Sequence, residues 1–188
     1  ALASLQEAGS VFREALEVAT DVYILDELAR VHFTMAYIEP AAEAEKHWES
    51  SIAAFEQTIG SADKQALGYH ALLQSTVFLA LAYSKHGQFD KAWFTLSIVE
   101  ACLPNFWLVH YIKACYFGLR ILREHKGKQS KASTPLFSDC LLALEKAVLI
   151  ADPQNGTREE ALIDPDLEPV RRLYPKEFTA VLQKGEQE

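Results

Sequence analysis

Three observations predict that this chain has an all-α fold. Apolar residues recur with the 3.6-residue period of a helix along almost the whole sequence. No segment shows the apolar–polar alternation, bounded by Gly and Asn turns, that is typical of a strand. The 188 residues are 49% hydrophobic, which is enough to bury one substantial core. The length therefore predicts a single helical domain over residues 1–188.

Residues with known capping preferences mark where the helices should begin. Asp21, Ser61 and Asn105 each precede an apolar periodic segment and are suitable N-caps. Thr134 is followed by Pro135, a pair that is typical of an N-cap and the first helical position. The helices expected up to the second Asp-Pro pair cover residues 2–19, 22–38, 41–59, 62–86, 88–102, 106–124 and 135–151.

The C-terminal part is predicted to contain shorter elements. Asp152 and the proline after it close the helix over 135–151. Thr157 and Glu160 have the spacing of a capping box, in which each side chain bonds a free backbone N–H of a helix start. Asp164 and Pro165 begin a last stretch.

Residues 79–104, LALAYSKHGQFDKAWFTLSIVEACLP, show a recurring pattern of small, apolar and turn residues. Ala80 and Ala92 are small, as is needed where two helices cross at close range, and Gly87 allows the positive φ of a short turn. Pro104 stops the second helix. The segment resembles the tetratricopeptide repeat (TPR), a 34-residue helix–turn–helix unit, and departs from it at Val99. The positions that carry the resemblance are Leu79, Ala80, Tyr83, Gly87, Phe89, Ala92, Leu96 and Pro104.

The resemblance implies a right-handed TPR-like α-solenoid of about four antiparallel helix pairs. It covers residues 2–183 and is strongest at 73–106. Residues 2–19 look like the second helix of a unit, so either their partner helix lies before Ala1 or this helix packs as a cap. The expected regions are degenerate N-terminal helices over 2–60, a clean repeat over 62–106, a repeat over 107–152 with an insertion at about 122–135, and a C-terminal cap over 157–183.

In the family, the first helix of each unit lines a concave groove. Alignment on the clean repeat places a mostly apolar set of residues on that face, and the resemblance implies that they bind a peptide or helix of a partner. This set comprises Val77, Leu81, Lys85, Tyr111, Cys115 and Leu119. The alternative is that the same stripe packs against the chain's own helices. The charged clamp that the family uses for C-terminal carboxylates is not matched, because those positions carry Val77, Leu81, Leu108 and Ile112.

Basic residues concentrate in one region of an otherwise acidic chain with a net charge of −8. Such a patch could guide an acidic partner segment or a phosphate. The alternative is that residues 126–133, rich in Gly, Ser and Lys, form a loop whose charges keep it solvated. The candidate patch consists of Arg120, Arg123, Lys126, Lys128 and Lys131.

Composition argues against several classes of function. The negative charge disfavours broad binding to nucleic acids or anionic membranes. No apolar run approaches the roughly 18 residues of a membrane span, and the first residues lack the pattern of a signal peptide. The three cysteines, Cys102, Cys115 and Cys140, cannot all pair and sit in apolar helical segments, which favours a reducing compartment. These features predict a cytoplasmic location, and the alternative is a signal or anchor removed before Ala1.

No motif for catalysis, a cofactor or a metal is found in the sequence. The six histidines include no HExxH pair, and no GxSxG, GxxxxGK[ST] or GxGxxG motif is present. The sequence therefore predicts a scaffold or adaptor that is not an enzyme, uses no cofactor or metal, and binds a partner protein through an apolar groove. Two alternatives are a subunit of a homo-oligomeric assembly and a small-ligand-binding accessory of a transport or sensory system.

Overall fold

A computed structural model describes residues 2–18, 21–61, 64–126 and 134–184. These residues form ten α-helices and three short 3₁₀ turns, and no strand occurs among them, which confirms the all-α prediction. None of the described helices has both the length and the apolar character that crossing a bilayer requires. The chain divides into two compact units, Ala1–Gln88 and Phe89–Glu188, which are described one at a time.

Unit 1 contains four α-helices, and its core lies where α2 packs on α3. Close approach of these two helices is marked by Ser51, whose hydroxyl donates a 3.0 Å hydrogen bond to the carbonyl of Ala29. Phe55 is completely buried in this core. The helices are α1 Leu2–Val18, α2 Val22–Ile38, α3 Ala41–Gly60 and α4 Tyr69–Lys85, with a 3₁₀ turn at Lys64–Leu67.

Two turn predictions in unit 1 are confirmed and one is wrong. Asp21 caps α2, because its carboxylate accepts a 2.7 Å hydrogen bond from the N–H of Tyr23, and Gly87 has a φ of 81°. The helix predicted over 62–86 begins only at Tyr69. Gly68, with φ 75° and ψ 156°, separates it from the 3₁₀ turn, since no helix continues through that conformation.

Unit 2 contains six α-helices, with α6 and α7 packed along one another. The C-terminal elements close the unit: α10 packs on α7, and a 3₁₀ turn and α9 pack on α6. Phe137, Leu144 and Ile121 fill the core. The elements are α5 Phe89–Cys102, α6 Trp107–His125, α7 Thr134–Ile150, α8 Thr157–Ile163, α9 Glu168–Leu173 and α10 Pro175–Leu182, with 3₁₀ turns at Pro153–Asn155 and Pro165–Leu167.

Two capping predictions in unit 2 are wrong. Asn105 does not cap α6, which begins at Trp107 after Phe106 without a side-chain cap. Thr157 does not form a capping box: its hydroxyl oxygen is buried and has no hydrogen-bond partner among the residues that the structure describes. Gly156, with φ 64°, precedes α8 instead.

The predicted insertion at about 122–135 overlaps the helices on either side of it. Helix α6 continues to His125 and α7 begins at Thr134, so both ends of that range are helical. Residues 127–133 lie outside the described residues.

Candidate functional site

The predicted groove residues in unit 1 lie on α4. Val77 and Leu81 are buried, with exposed fractions of 0% and 5%. Lys85 is half-buried, and its ammonium group lies 4.4 Å from the centroid of the Tyr37 ring. Lys85 is thus held over an aromatic side chain of its own unit.

The predicted groove residues in unit 2 lie on α6, and two of them meet at one carboxylate. The Tyr111 hydroxyl donates a 2.9 Å hydrogen bond to Asp164, and the Cys115 sulfur lies 3.5 Å from the same oxygen. Tyr111 and Cys115 are both buried, whereas Leu119 is half-buried. Asp164 also caps the 3₁₀ turn Pro165–Leu167 by accepting from the N–H of Asp166.

Gly118 lets this C-terminal turn approach the backbone of α6. A Cβ added at Gly118 would lie 2.0 Å from the carbonyl oxygen of Asp166. Leu167 and Val170, which follow, are completely buried. Residues 164–170 therefore cover the face of α6 that carries Tyr111 and Cys115, and a partner would reach these two side chains only by displacing that cover.

The environment of Cys115 makes it a poor nucleophile. Burial, together with the negative charges of Asp164 and Asp166, raises the pKa of its thiol well above the ordinary value. Ligand atoms of these three residues lie within 4.8 Å of one another, as a metal site would require. However, Asp164 accepts hydrogen bonds from both the thiol and the Tyr111 hydroxyl, so it is already satisfied without a metal.

The candidate basic patch is only partly free to act on an anion. Arg120 forms a two-bond ion pair with Glu124, at 2.7 and 2.9 Å, and this pair cancels its charge. Arg123 and Lys126 are exposed at the end of α6. Lys128 and Lys131 lie outside the described residues.

An open cleft lies in unit 2 between α5, α6 and α7, and the sequence did not predict it. It consists of two adjoining cavities of about 170 and 340 Å³, both lined by Trp93, Phe117 and Asp139. The smaller cavity is also lined by Glu100, His110, Lys113, Leu142, Ala143 and Lys146. The larger one is also lined by Asp90, Tyr116, Arg120 and Leu136. We call the larger cavity, with its aromatic floor and its two aspartates, the aromatic cleft.

Three aromatic rings form the floor of the aromatic cleft. The ring centroids of Trp93 and Tyr116 are 5.5 Å apart, those of Trp93 and Phe117 are 5.8 Å apart, and those of Tyr116 and Phe117 are 5.2 Å apart. Trp93 remains 41% exposed, and its neighbour Phe94 is 67% exposed. Large apolar side chains are therefore available to a binding partner on this surface.

A compact ion-pair network closes the other end of the cleft. The Lys113 ammonium lies 2.6 Å from Glu100, and the His110 ring lies 3.6 Å from that carboxylate. Burial opposes ionisation of Glu100, but the hydrogen bond and charge of Lys113 outweigh it and lower the pKa of the carboxyl group. The Lys146 ammonium lies 3.9 Å from the same carboxylate.

Sequence reasoning missed this cleft because its walls come from three helices that are separated along the chain. The only signal was local: Trp93 and Phe94 are adjacent on α5, so one helix cannot bury both rings on the same face. Comparison of the chain with protein-family models, with curated proteins and with solved structures found no match. The function is therefore inferred from the chain's own residues.

Proposed function

We propose that this protein is a non-catalytic binding module, a TPR-like helical scaffold or adaptor that holds a segment of a partner protein. The observation that carries the proposal is the open cleft between α5, α6 and α7, which is lined by the partly exposed ring of Trp93. Tryptophan and tyrosine are enriched at the energetic centres of protein interfaces, because they bury much area at a small entropic cost.

The cleft supports partner binding better than the face of α6 that the sequence indicated. Tyr111 and Cys115 on that face are covered by residues 164–170 of the same unit. In contrast, Trp93 and Leu142 line the cleft and are 41% and 54% exposed. Such a group of exposed apolar side chains favours an interaction surface.

The state of the buried titratable groups also supports a binding role. Burial and the negative charge of Asp164 raise the pKa values of Tyr111 and Cys115, so both stay protonated at neutral pH. Both donate their protons to Asp164 in the interior and neither lines the cleft. These groups stabilise the packing of the C-terminal turn on α6.

The alternative of a homo-oligomer is favoured by the same exposed residues, because a second copy could bury them. A substitution on this surface distinguishes the two candidates. It would weaken binding of a different partner protein without changing the oligomeric state of the protein, whereas it would dissociate a homo-oligomer.

The test compares two variants of the full chain with matched exposure. Leu142→Ser removes a 54% exposed side chain on α7 that lines the cleft, and Leu162→Ser removes a 54% exposed side chain on α8 that does not line it. A partner captured from native lysate should bind the Leu142→Ser variant with a free energy weaker by about 1–3 kcal/mol and the Leu162→Ser variant unchanged. Binding should be measured with the purified partner, by calorimetry.

Two results would contradict the proposal. Equal binding of the partner to both variants would show that the cleft is not the binding surface. If the protein itself were dimeric and only Leu142→Ser made it monomeric, the homo-oligomer would replace the scaffold as the better account.

A further inference from the structure

We propose that the aromatic cleft receives a cationic side chain, the arginine or lysine of a basic partner segment. This inference rests on the proposed function, since it assigns the cation to the partner that the scaffold holds. It concerns the larger cavity of unit 2, floored by Trp93, Tyr116 and Phe117 and edged by Asp90 and Asp139.

The three rings of the floor can attract a cation. The faces of aromatic rings carry negative electrostatic potential, which draws ammonium and guanidinium groups that come within about 6 Å of a ring centroid. The centroids of Trp93, Tyr116 and Phe117 all lie within 5.8 Å of one another, so one cation can interact with more than one ring.

Two cations of the chain itself already use these rings. The Lys113 ammonium lies 4.9 Å from the centroid of Trp93, and the Arg120 guanidinium lies 5.8 Å from that of Tyr116. Each has its own acid, because Lys113 pairs with Glu100 and Arg120 pairs with Glu124. Their charges are thus compensated before any partner arrives.

The two aspartates of the cleft have no such compensation. Asp90 and Asp139 are exposed, and neither forms a hydrogen bond or an ion pair with any residue that the structure describes. Asp90 lies in the first turn of α5, where the helix dipole favours a negative charge. Asp139 lies within α7, between Thr134 and Ile150, and has no comparable role. A cation from outside would therefore meet two unpaired carboxylates.

The charge of Asp90 acts on the floor of the cleft. Burial is the main cause of the raised pKa of Tyr116; Arg120 opposes it, and the negative charges of Glu124 and Asp90 add to it. Asp90 and Tyr116 line the same cavity, so both can act on one bound cation.

The size of the aromatic cleft fits one long side chain. A cavity of about 340 Å³ is at the lower end of the range for ligand pockets, so it would hold a single arginine or lysine while the rest of the segment lies over the rim. The net charge of −8 favours the approach of a basic segment.

The test uses two peptides that differ only in charge. Acetyl-Leu-Arg-Leu-amide carries the guanidinium, and acetyl-Leu-citrulline-Leu-amide replaces it with a neutral group of the same shape. Binding to the full chain is followed by NMR through the indole N–H signals of Trp48, Trp93 and Trp107, assigned with the variant Trp93→Phe. We expect the arginine peptide to shift the Trp93 signal saturably and the citrulline peptide to bind at least fivefold more weakly.

The double variant D90N/D139N should weaken binding of the arginine peptide at least fivefold. The double variant E159Q/E177Q is the matched control, because it removes the same net charge from exposed residues of unit 2 that do not line the aromatic cleft. Its affinity for the peptide should be unchanged.

The inference is overturned if neither peptide shifts Trp93 at millimolar concentration, if both bind equally, or if both double variants lose affinity equally. The proposed function is tested separately by a partner that binds the wild-type protein and binds Leu142→Ser more weakly. If a partner behaves in that way but its affinity is unchanged by D90N/D139N, the scaffold function is supported and the binding of a cationic side chain in the aromatic cleft is contradicted.

Discussion

Gly118 is the residue at which the C-terminal turn and α6 come closest. A Cβ at this position would lie 2.0 Å from the carbonyl oxygen of Asp166 and 3.0 Å from its carbonyl carbon. Both atoms belong to the backbone, so a side-chain rotation cannot relieve the contact. Any larger residue must move the 3₁₀ turn Pro165–Leu167 away from the helix.

We therefore expect Gly118→Ala to destabilise the protein by about 3 kcal/mol, since overpacking a tight contact costs more than the helix propensity of alanine returns. The matched control is Gly60→Ala at the end of α3, where nothing lies within 4 Å of the added Cβ. Urea unfolding of the two variants measures the difference. A Gly118→Ala variant as stable as Gly60→Ala would mean that residues 164–170 are not held against α6.

His32 illustrates how burial sets protonation in unit 1. Its Nδ1 lies 2.8 Å from Nδ1 of His47, whose Nε2 in turn lies 3.1 Å from a carboxylate oxygen of Glu39. Burial is the main cause of a lowered pKa, and the charges of His47 and Arg13 add to it, so that the pKa of His32 falls from 6.5 to about 4. His32 is therefore neutral in the folded protein at any pH above about 4.

This lowered pKa makes stability depend on pH between about 4 and 6.5. In that window the unfolded chain binds a proton at His32 and the folded chain does not, so the free energy of unfolding falls as the pH falls. Between pH 7.5 and 5.0 we expect wild type to lose about 2 kcal/mol more than His32→Gln. Urea unfolding at the two pH values measures this difference, with His70→Gln, at an exposed position, as the control. Equal losses for wild type and His32→Gln would contradict the assignment.

At the scale of elements, the sequence predicted helices well and their caps unevenly. The bounds at Asp21, Pro40 and Gly60 agree with the prediction: the side chain of Asp21 accepts from the N–H of Tyr23, Pro40 precedes α3, and Gly60 is the last residue of α3. The start of α4 and the cap of α8 are wrong because a capping side chain works only if the adjoining turn aims it at a free N–H. Gly68 and Gly156 set those turns.

The sequence predicted neither the cover over Tyr111 nor the aromatic cleft, for a similar reason. The position of Tyr111 on α6 was predictable from helical periodicity, but its burial depends on Asp164, 53 residues further along the chain. The aromatic cleft depends on how α5, α6 and α7 pack, and a repeat pattern in one helix does not contain that information.

The start of α8 offers a test of the corrected cap. Thr157 is buried, and its hydroxyl lacks a hydrogen-bond partner among the described residues. Thr157→Val keeps the shape of the side chain and removes a hydroxyl group whose burial without a hydrogen bond costs free energy. We therefore expect the variant to be as stable as wild type or more stable by about 1 kcal/mol. In a capping box the same change would cost about 1 kcal/mol. Thermal unfolding beside wild type gives the sign.

At the scale of the whole molecule, the balance of charge governs association. The chain has 26 acidic and 18 basic residues, and several of the basic ones in unit 2 are held by nearby acids, as Lys113 and Arg120 show. A basic segment would therefore be attracted over a distance, whereas an apolar segment would not.

We expect the affinity for acetyl-Leu-Arg-Leu-amide to fall at least threefold between about 20 and 200 mM NaCl, because salt screens exposed charges. The citrulline peptide serves as the control and should be nearly insensitive to salt. The same NMR titration measures both. If the affinity of the arginine peptide is independent of salt, binding depends on apolar contacts alone. That is the behaviour expected of the apolar groove predicted from the sequence.

The cover on α6 also has a consequence for synthesis at the ribosome. Tyr111 and its partner Asp164 are 53 residues apart, so at about 5–20 residues per second α6 emerges roughly 3–10 s before the turn that shields it. During that interval Tyr111, Cys115 and the backbone at Gly118 are exposed to solvent. We expect chaperones to bind a nascent chain in this state, and we expect changes in residues 164–170 to lower the yield of folded protein by prolonging it.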